Sequence, residues 1–307
     1  MRLLRSGLGL GLIRRRWFVL PALQLLQWLC VLVFARDHRH EWTALTAACV
    51  LVGLPVALWC VWRLASELGG WMLGAFAAAV WVLHPFLAIP AFDSRYRHRY
   101  TQEIVPRALG IVESGEFPAM VLLLVAAVLC VRSYRRGGRV AALLAGLAAG
   151  AAAMVDAAAL LFVPAALVGL AVSRRPPRLL AFALGLAPAL VVVLARGTGK
   201  SIEAGNWDDL EHNFTFIREY FYSLRVLEWL PVAGVVAIAR RSFPTAILVG
   251  GWLFAFLAVQ GSSSDVLDGS FYRVMLPALP AYVLLAASIP LLIPAPRTFR
   301  RTVLARR

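Results

Sequence analysis

Cysteine is scarce in this chain and lysine almost absent. Only four of the 307 residues are cysteine, at positions 30, 49, 60 and 130, and each lies inside an apolar run. None forms a C-x-x-C pair and none stands in a loop, which excludes a disulfide framework and a cysteine-based zinc site. They read as small buried apolar residues. Charge of either sign is sparse at 15%, against 61% hydrophobic residues and a mean hydropathy of +0.76. So little polar surface excludes a soluble globular domain of this length. Acidic residues number 16 against 31 basic ones, and all but one of the latter are arginine. A net charge of +15 otherwise suggests a nucleic-acid partner. Here the arginines cluster between apolar runs, so the charge marks topology and no nucleic acid is expected.

Long apolar runs are abundant. A helix needs about 20 apolar residues to cross the hydrocarbon core, and the runs at 17–35, 43–62, 71–91, 118–131, 179–195, 226–239, 243–261 and 274–294 meet or approach that length. The stretch 140–173 is too long for one span. It reads as a tight hairpin, 140–154 and 157–173, turning near Met154–Ala157. The expected fold is an all-α, polytopic transmembrane bundle of about ten spans in one domain over 1–307. Arginines precede the first run without a small-residue cleavage site, so that run reads as a retained signal anchor.

The charges test this alternation. The N-terminus, the loops near Arg63, 132–139, 174–178 and 240–241, and the C-terminal tail together hold 20 basic residues and one acid, Glu67. The opposite loops, 36–42, 92–117, 196–225 and 262–273, hold 11 basic residues and 13 acids. The positive-inside rule then places both termini in the cytoplasm of a multi-pass cell-membrane protein. Within 196–225, Leu210, Phe214, Ile217, Phe221 and Leu224 share one helical face behind Asn206, Asp208 and Asp209. This predicts a short extracytoplasmic helix, lying on the membrane surface or packed on the other outer loop.

Most local motifs dissolve under inspection. Gly197-Thr198-Gly199-Lys200-Ser201 lacks the earlier glycine of a phosphate loop, because Leu194 stands there. Asn213-Phe214-Thr215 is a glycosylation triplet of a kind that chance produces often. Gly146 and Gly150 have the spacing that lets membrane helices approach closely. Asp156 at the hairpin turn and Glu228 just inside a span are near enough to an interface to be solvated. Asp37-His38-Arg39-His40-Glu41 gathers metal-binding side chains, but Arg36 and Arg39 oppose a cation and consecutive loop residues rarely converge. No metal or cofactor is expected. The constellation left is the loop 92–117, with Asp93, Arg95, Arg97, Arg99, Glu103, Arg107, Glu113 and Glu116, together with Tyr272-Arg273. Carboxylates beside arginines suit an anionic, phosphate-bearing substrate and a nucleophile that must lose a proton. The same residues suit a solvated loop laced with ion pairs, and chemistry alone does not choose between them.

Several segments resemble the polytopic GT-C glycosyltransferases, the group of protein mannosyltransferases, aminoarabinose transferases and bacterial RgtA/B/C/D-like enzymes. They are Arg63-Leu64-Ala65-Ser66-Glu67-Leu68-Gly69-Gly70 followed by an alanine-rich span ending in His84-Pro85; Glu116-Phe117-Pro118 opening a helix; Gly146, Gly150 and Pro164; and Phe271-Tyr272-Arg273 with Pro277 and Pro280. Together they cover roughly residues 45–295. The resemblance implies transfer of a sugar from a polyprenyl-phosphate donor in the membrane lipid to an extracytoplasmic glycan, lipid or protein acceptor. It departs from the family in the first outer loop: residues 36–42 are short and offer only Asp37 and Glu41 where relatives carry an acidic pair. Asp156 also stands where many relatives have a basic residue. The implied base therefore moves to Asp93, with Glu116 as second carboxylate. Arg95, Arg97, Tyr272 and Arg273 bind the donor, and His84 lines the site floor. A diverged or inactive copy, or a non-catalytic protein that binds or flips lipid-linked sugars, is the alternative.

Overall fold

The computed structural model describes residues 3–34, 43–87, 97–98, 100–173, 176–196, 208, 211, 213, 226–262 and 271–293. Side chains are described for all of these except 3–17, 87, 136, 196, 226–228 and 271–272. The described residues are 91% helical and include no strand. Ten helices carry the fold: α1 (Leu3–Phe34), α2 (Ala44–Gly69), α3 (Trp71–Leu87), α4 (Glu116–Arg136), α5 (Arg139–Val155), α6 (Phe162–Val172), α7 (Pro176–Arg196), α8 (Val226–Ala239), α9 (Phe243–Gln260) and α10 (Leu279–Ser288). A 3₁₀ segment, Ala157–Leu161, leads into α6, and 3₁₀ turns flank α10 at Leu276–Ala278 and Ile289–Leu292.

Among the described residues, four helices are long and apolar enough to cross a bilayer: Ala44–Gly69, Glu116–Arg135, Pro176–Ala195 and Phe243–Gln260. The apolar helices Phe18–Phe34, Trp71–Phe86, Arg139–Val155, Ala157–Val172, Trp229–Ala239 and Leu276–Leu292 are shorter. Large apolar side chains such as Leu25, Leu29, Leu51, Phe76, Leu147, Leu184, Val191 and Phe254 point outward along their lengths. So much exposed apolar surface fits a membrane protein, because lipid and not water can cover it.

Helix α4 is the hub, packing on α2, α5, α6, α9 and α10. One layer runs α3, α2, α4, α5, α7, with α1 laid against α2 and α3; the other holds α6, α8, α9 and α10. The expected hairpin over 140–173 does turn at Asp156, but its two arms are not a packed pair. Helix α5 lies between α4 and α7, while α6 packs chiefly on α9. Glycines decide this. A β-carbon on Gly146 would collide with the Phe182 carbonyl of α7, and one on Gly185 of α7 with the Leu143 carbonyl of α5. The two backbones therefore touch at reciprocal glycines, and dispersion and Cα–H contacts replace side-chain packing. On the other arm Ala165 faces Gly251 of α9, and Phe162 meets Trp252 edge-on at 5.3 Å.

Other boundaries shift for local reasons. The loop expected near Arg63 is the last part of α2, which runs on to Gly69, and the chain turns at Gly70 with φ 81°. Arg63 pairs there with Glu67 at 2.5 Å along the helix, and Glu67 also accepts from Arg135 of α4 at 2.8 Å. Arg178 reaches the Tyr134 carbonyl and Arg240 the Leu292 carbonyl, each at 3.5 Å. These contacts gather the arginine-bearing ends of α2, α4, α7 and α8 at one end of the bundle. Glu116, Asp156 and Arg273 lie at the opposite end of their helices.

Candidate functional site

At that opposite end, the part of 97–115 that is described is not a solvated loop. Tyr100–Ile104 makes a π-helical turn and Val105–Ala108 a short α-helix. Tyr100, Ile104, Val105, Leu109 and Ile111 are buried, so they plug the end of the bundle. The recurrence of apolar residues at 100, 104, 105 and 109 was the signal for this, masked by the polar residues and Arg107 among them. The plug closes on Gly110, whose φ of 68° suits glycine, and a β-carbon there would stand 3.0 Å from both Cys49 and the Phe117 ring. Burial holds the Tyr100 phenol well above its ordinary pKa.

The plug delivers the chain to α4, which opens at Glu116 as the sequence indicates. One Glu116 oxygen accepts from Arg273 Nε at 2.7 Å. Arg273 sits on the short helix Phe271–Val274, and half of its side chain is exposed. Because Nε makes this bond, the terminal guanidinium nitrogens keep their donors for other acceptors. The second Glu116 oxygen is buried and has no hydrogen-bond partner among the described residues. Ser114 Oγ lies close to this carboxylate but makes no hydrogen bond of good geometry.

Asp156 completes a charged triad. It ends α5 in an extended conformation, and its Oδ1 accepts from the Ala158 amide at 3.0 Å, capping the 3₁₀ segment. Gly115 lies against the Val155 carbonyl, which brings the start of α4 to the α5 turn. Asp156 makes no ion pair within the described residues. Its carboxyl is raised above the ordinary aspartate range, first by burial and then by the negative charge of Glu116; the Ala158 amide and Arg273 act the other way. The sequence marks Asp156 as the single acid of a long apolar stretch, but not as a neighbour of Glu116 and Arg273.

The other expected site residues divide. His84 of α3 packs against Tyr282 of α10, with ring centroids 5.5 Å apart and the planes tilted by 48°. It makes no hydrogen bond or ion pair to the triad. Arg97 has helical backbone, its carbonyl accepting from Thr101 at 2.7 Å. Asp93, Arg95, the loop 36–42, residues 197–201 and the side chains of Tyr272 and Glu228 lie outside the described residues, as does most of the expected surface helix. Asn213 is described and fully buried, with Nδ2 donating to the Gly261 carbonyl at 2.6 Å. An asparagine so enclosed is no glycan acceptor in the folded protein. Among the described residues no group of three His, Cys, Asp or Glu could hold a metal ion. Comparison with family models, with curated proteins and with solved structures finds no match to this chain.

Proposed function

We propose that the chain is a ten-span, multi-pass cell-membrane protein with cytoplasmic termini, and that its carboxylate-bearing end works as a GT-C-like glycosyltransferase site. The substrate would be a sugar on a polyprenyl phosphate, and the acceptor an extracytoplasmic glycan, lipid or protein. The observation that carries this reading is the Arg273–Glu116 pair at 2.7 Å, beside Asp156 at one end of an apolar bundle. An arginine whose Nε is held by a carboxylate presents its remaining donors as a fixed fork, the geometry that suits a phosphate ester. A lipid-linked donor keeps its tail in the bilayer, so its phosphate must be met at the membrane surface. Transfer passes through an oxocarbenium-like state, and cationic help for the departing phosphate lowers that barrier.

The test uses membranes carrying the full chain and a radiolabelled polyprenyl-phosphate sugar. Wild type should transfer label, Arg273→Gln should lose at least about tenfold in kcat/KM, and Glu116→Gln should weaken donor binding more than turnover. The expectation that Asp93 removes the acceptor proton is tested in the same series by Asp93→Asn. Binding without transfer by wild type would favour the reading as a lipid-linked-sugar binder or flippase. Wild-type membranes that neither bind nor transfer would sink both.

A further inference from the structure

Resting on that reading, we infer that Asp156, rather than Glu116, accepts the proton of the incoming hydroxyl. Three geometric facts carry the choice. Glu116 is occupied: one oxygen is held by Arg273 and the other is buried. Asp156 is half-buried at the α5 turn, with Oδ1 fixed by the Ala158 amide and no described partner for Oδ2. Its backbone is fixed from both sides, as the C-terminal cap of α5 and the N-terminal cap of the next segment, so the free oxygen is pre-positioned. The charged groups that face it from neighbouring elements are Glu116 at the start of α4 and Arg273 on Phe271–Val274. A base must be ionised before reaction and protonated after it, and a neighbouring carboxylate and partial burial both favour the proton's arrival.

The step balances as follows. The bond between the sugar anomeric carbon and the phosphate oxygen breaks, and its electron pair leaves with the polyprenyl phosphate, whose added charge faces Arg273. A bond forms between the anomeric carbon and the acceptor oxygen, and the acceptor's proton passes to Asp156 Oδ2. Glu116 acts as a positioning residue through Arg273.

Asp156→Asn is the decisive variant, because an asparagine oxygen still caps the Ala158 amide while no longer taking a proton. Its fold is checked by thermal melting of the purified full chain in detergent. Transfer by wild type, with Asp156→Asn reduced about 100-fold or more and the acidic limb of the pH–rate profile lost, is the expected result. Wild-type transfer with an active Asp156→Asn of unchanged pH profile would overturn the inference and leave the transferase reading standing. Loss confined to Asp93→Asn would do the same. Absence of transfer by wild type would remove the reading and the inference together.

Discussion

Arg273 and Glu116 are 157 residues apart in the chain yet share a hydrogen bond of 2.7 Å, and Asp156 feels the charge of both. A carboxyl raised by burial and by a like charge is more easily protonated in the folded state than in the unfolded one. The folded chain therefore binds more protons than the unfolded chain between the two values, and stability falls as pH rises through that window. Well below it the two states are equally protonated and the effect vanishes. Asp156→Asn should thus melt above wild type at neutral pH and level with it in acid, which thermal unfolding in detergent across pH 3 to 8 measures. A second residue-scale prediction concerns Asn213. Asn213→Ala leaves the Gly261 carbonyl without its 2.6 Å partner, at a cost of about 1–3 kcal/mol. The segment it ties down should then be cut faster in limited proteolysis.

At the scale of the helix, the places of the apolar runs along the chain were legible and partnership was not. Apolar runs of about 20 residues answer to bilayer thickness, a constraint that acts on each segment alone. The starts at Glu116 and Phe243 and the turn at Asp156 could be read accordingly. Which helix packs on which depends on small shape differences between surfaces that are all apolar. Gly146 and Gly150 announced a close approach without naming α7, and nothing in 140–173 revealed that its two arms separate. Site residues suffered the same fate: Glu116 and Arg273 stood out by type, whereas Asp156 joined them only once α5 was placed beside α4. The reciprocal glycine contact gives a direct test. Gly146→Leu or Gly185→Leu forces backbone against side chain and should cost about 1–3 kcal/mol. The melting temperature of each variant in detergent reads the loss, and Gly138→Leu, with only ordinary contacts around it, should change it far less.

For the whole molecule, the opposed ends make a topological prediction. Single cysteines at Glu113 and Arg139, introduced after the four native ones are replaced, lie at opposite ends of the bundle. A membrane-impermeant maleimide added to intact cells should label the Glu113→Cys protein, and the Arg139→Cys protein only after permeabilisation. The apolar helices also differ in length. At about 1.5 Å per residue, the 26-residue Ala44–Gly69 is about 39 Å long, whereas the apolar helix Ala157–Val172 is much shorter. In a bilayer we expect thinning beside the short helix and tilting of the long one. Thinning at the end where Asp156 and Arg273 sit would bring lipid headgroups toward that rim, where a lipid-borne substrate would arrive. Reconstitution should reveal it: bilayers of shorter acyl chains should raise the melting temperature, and thicker ones should lower it.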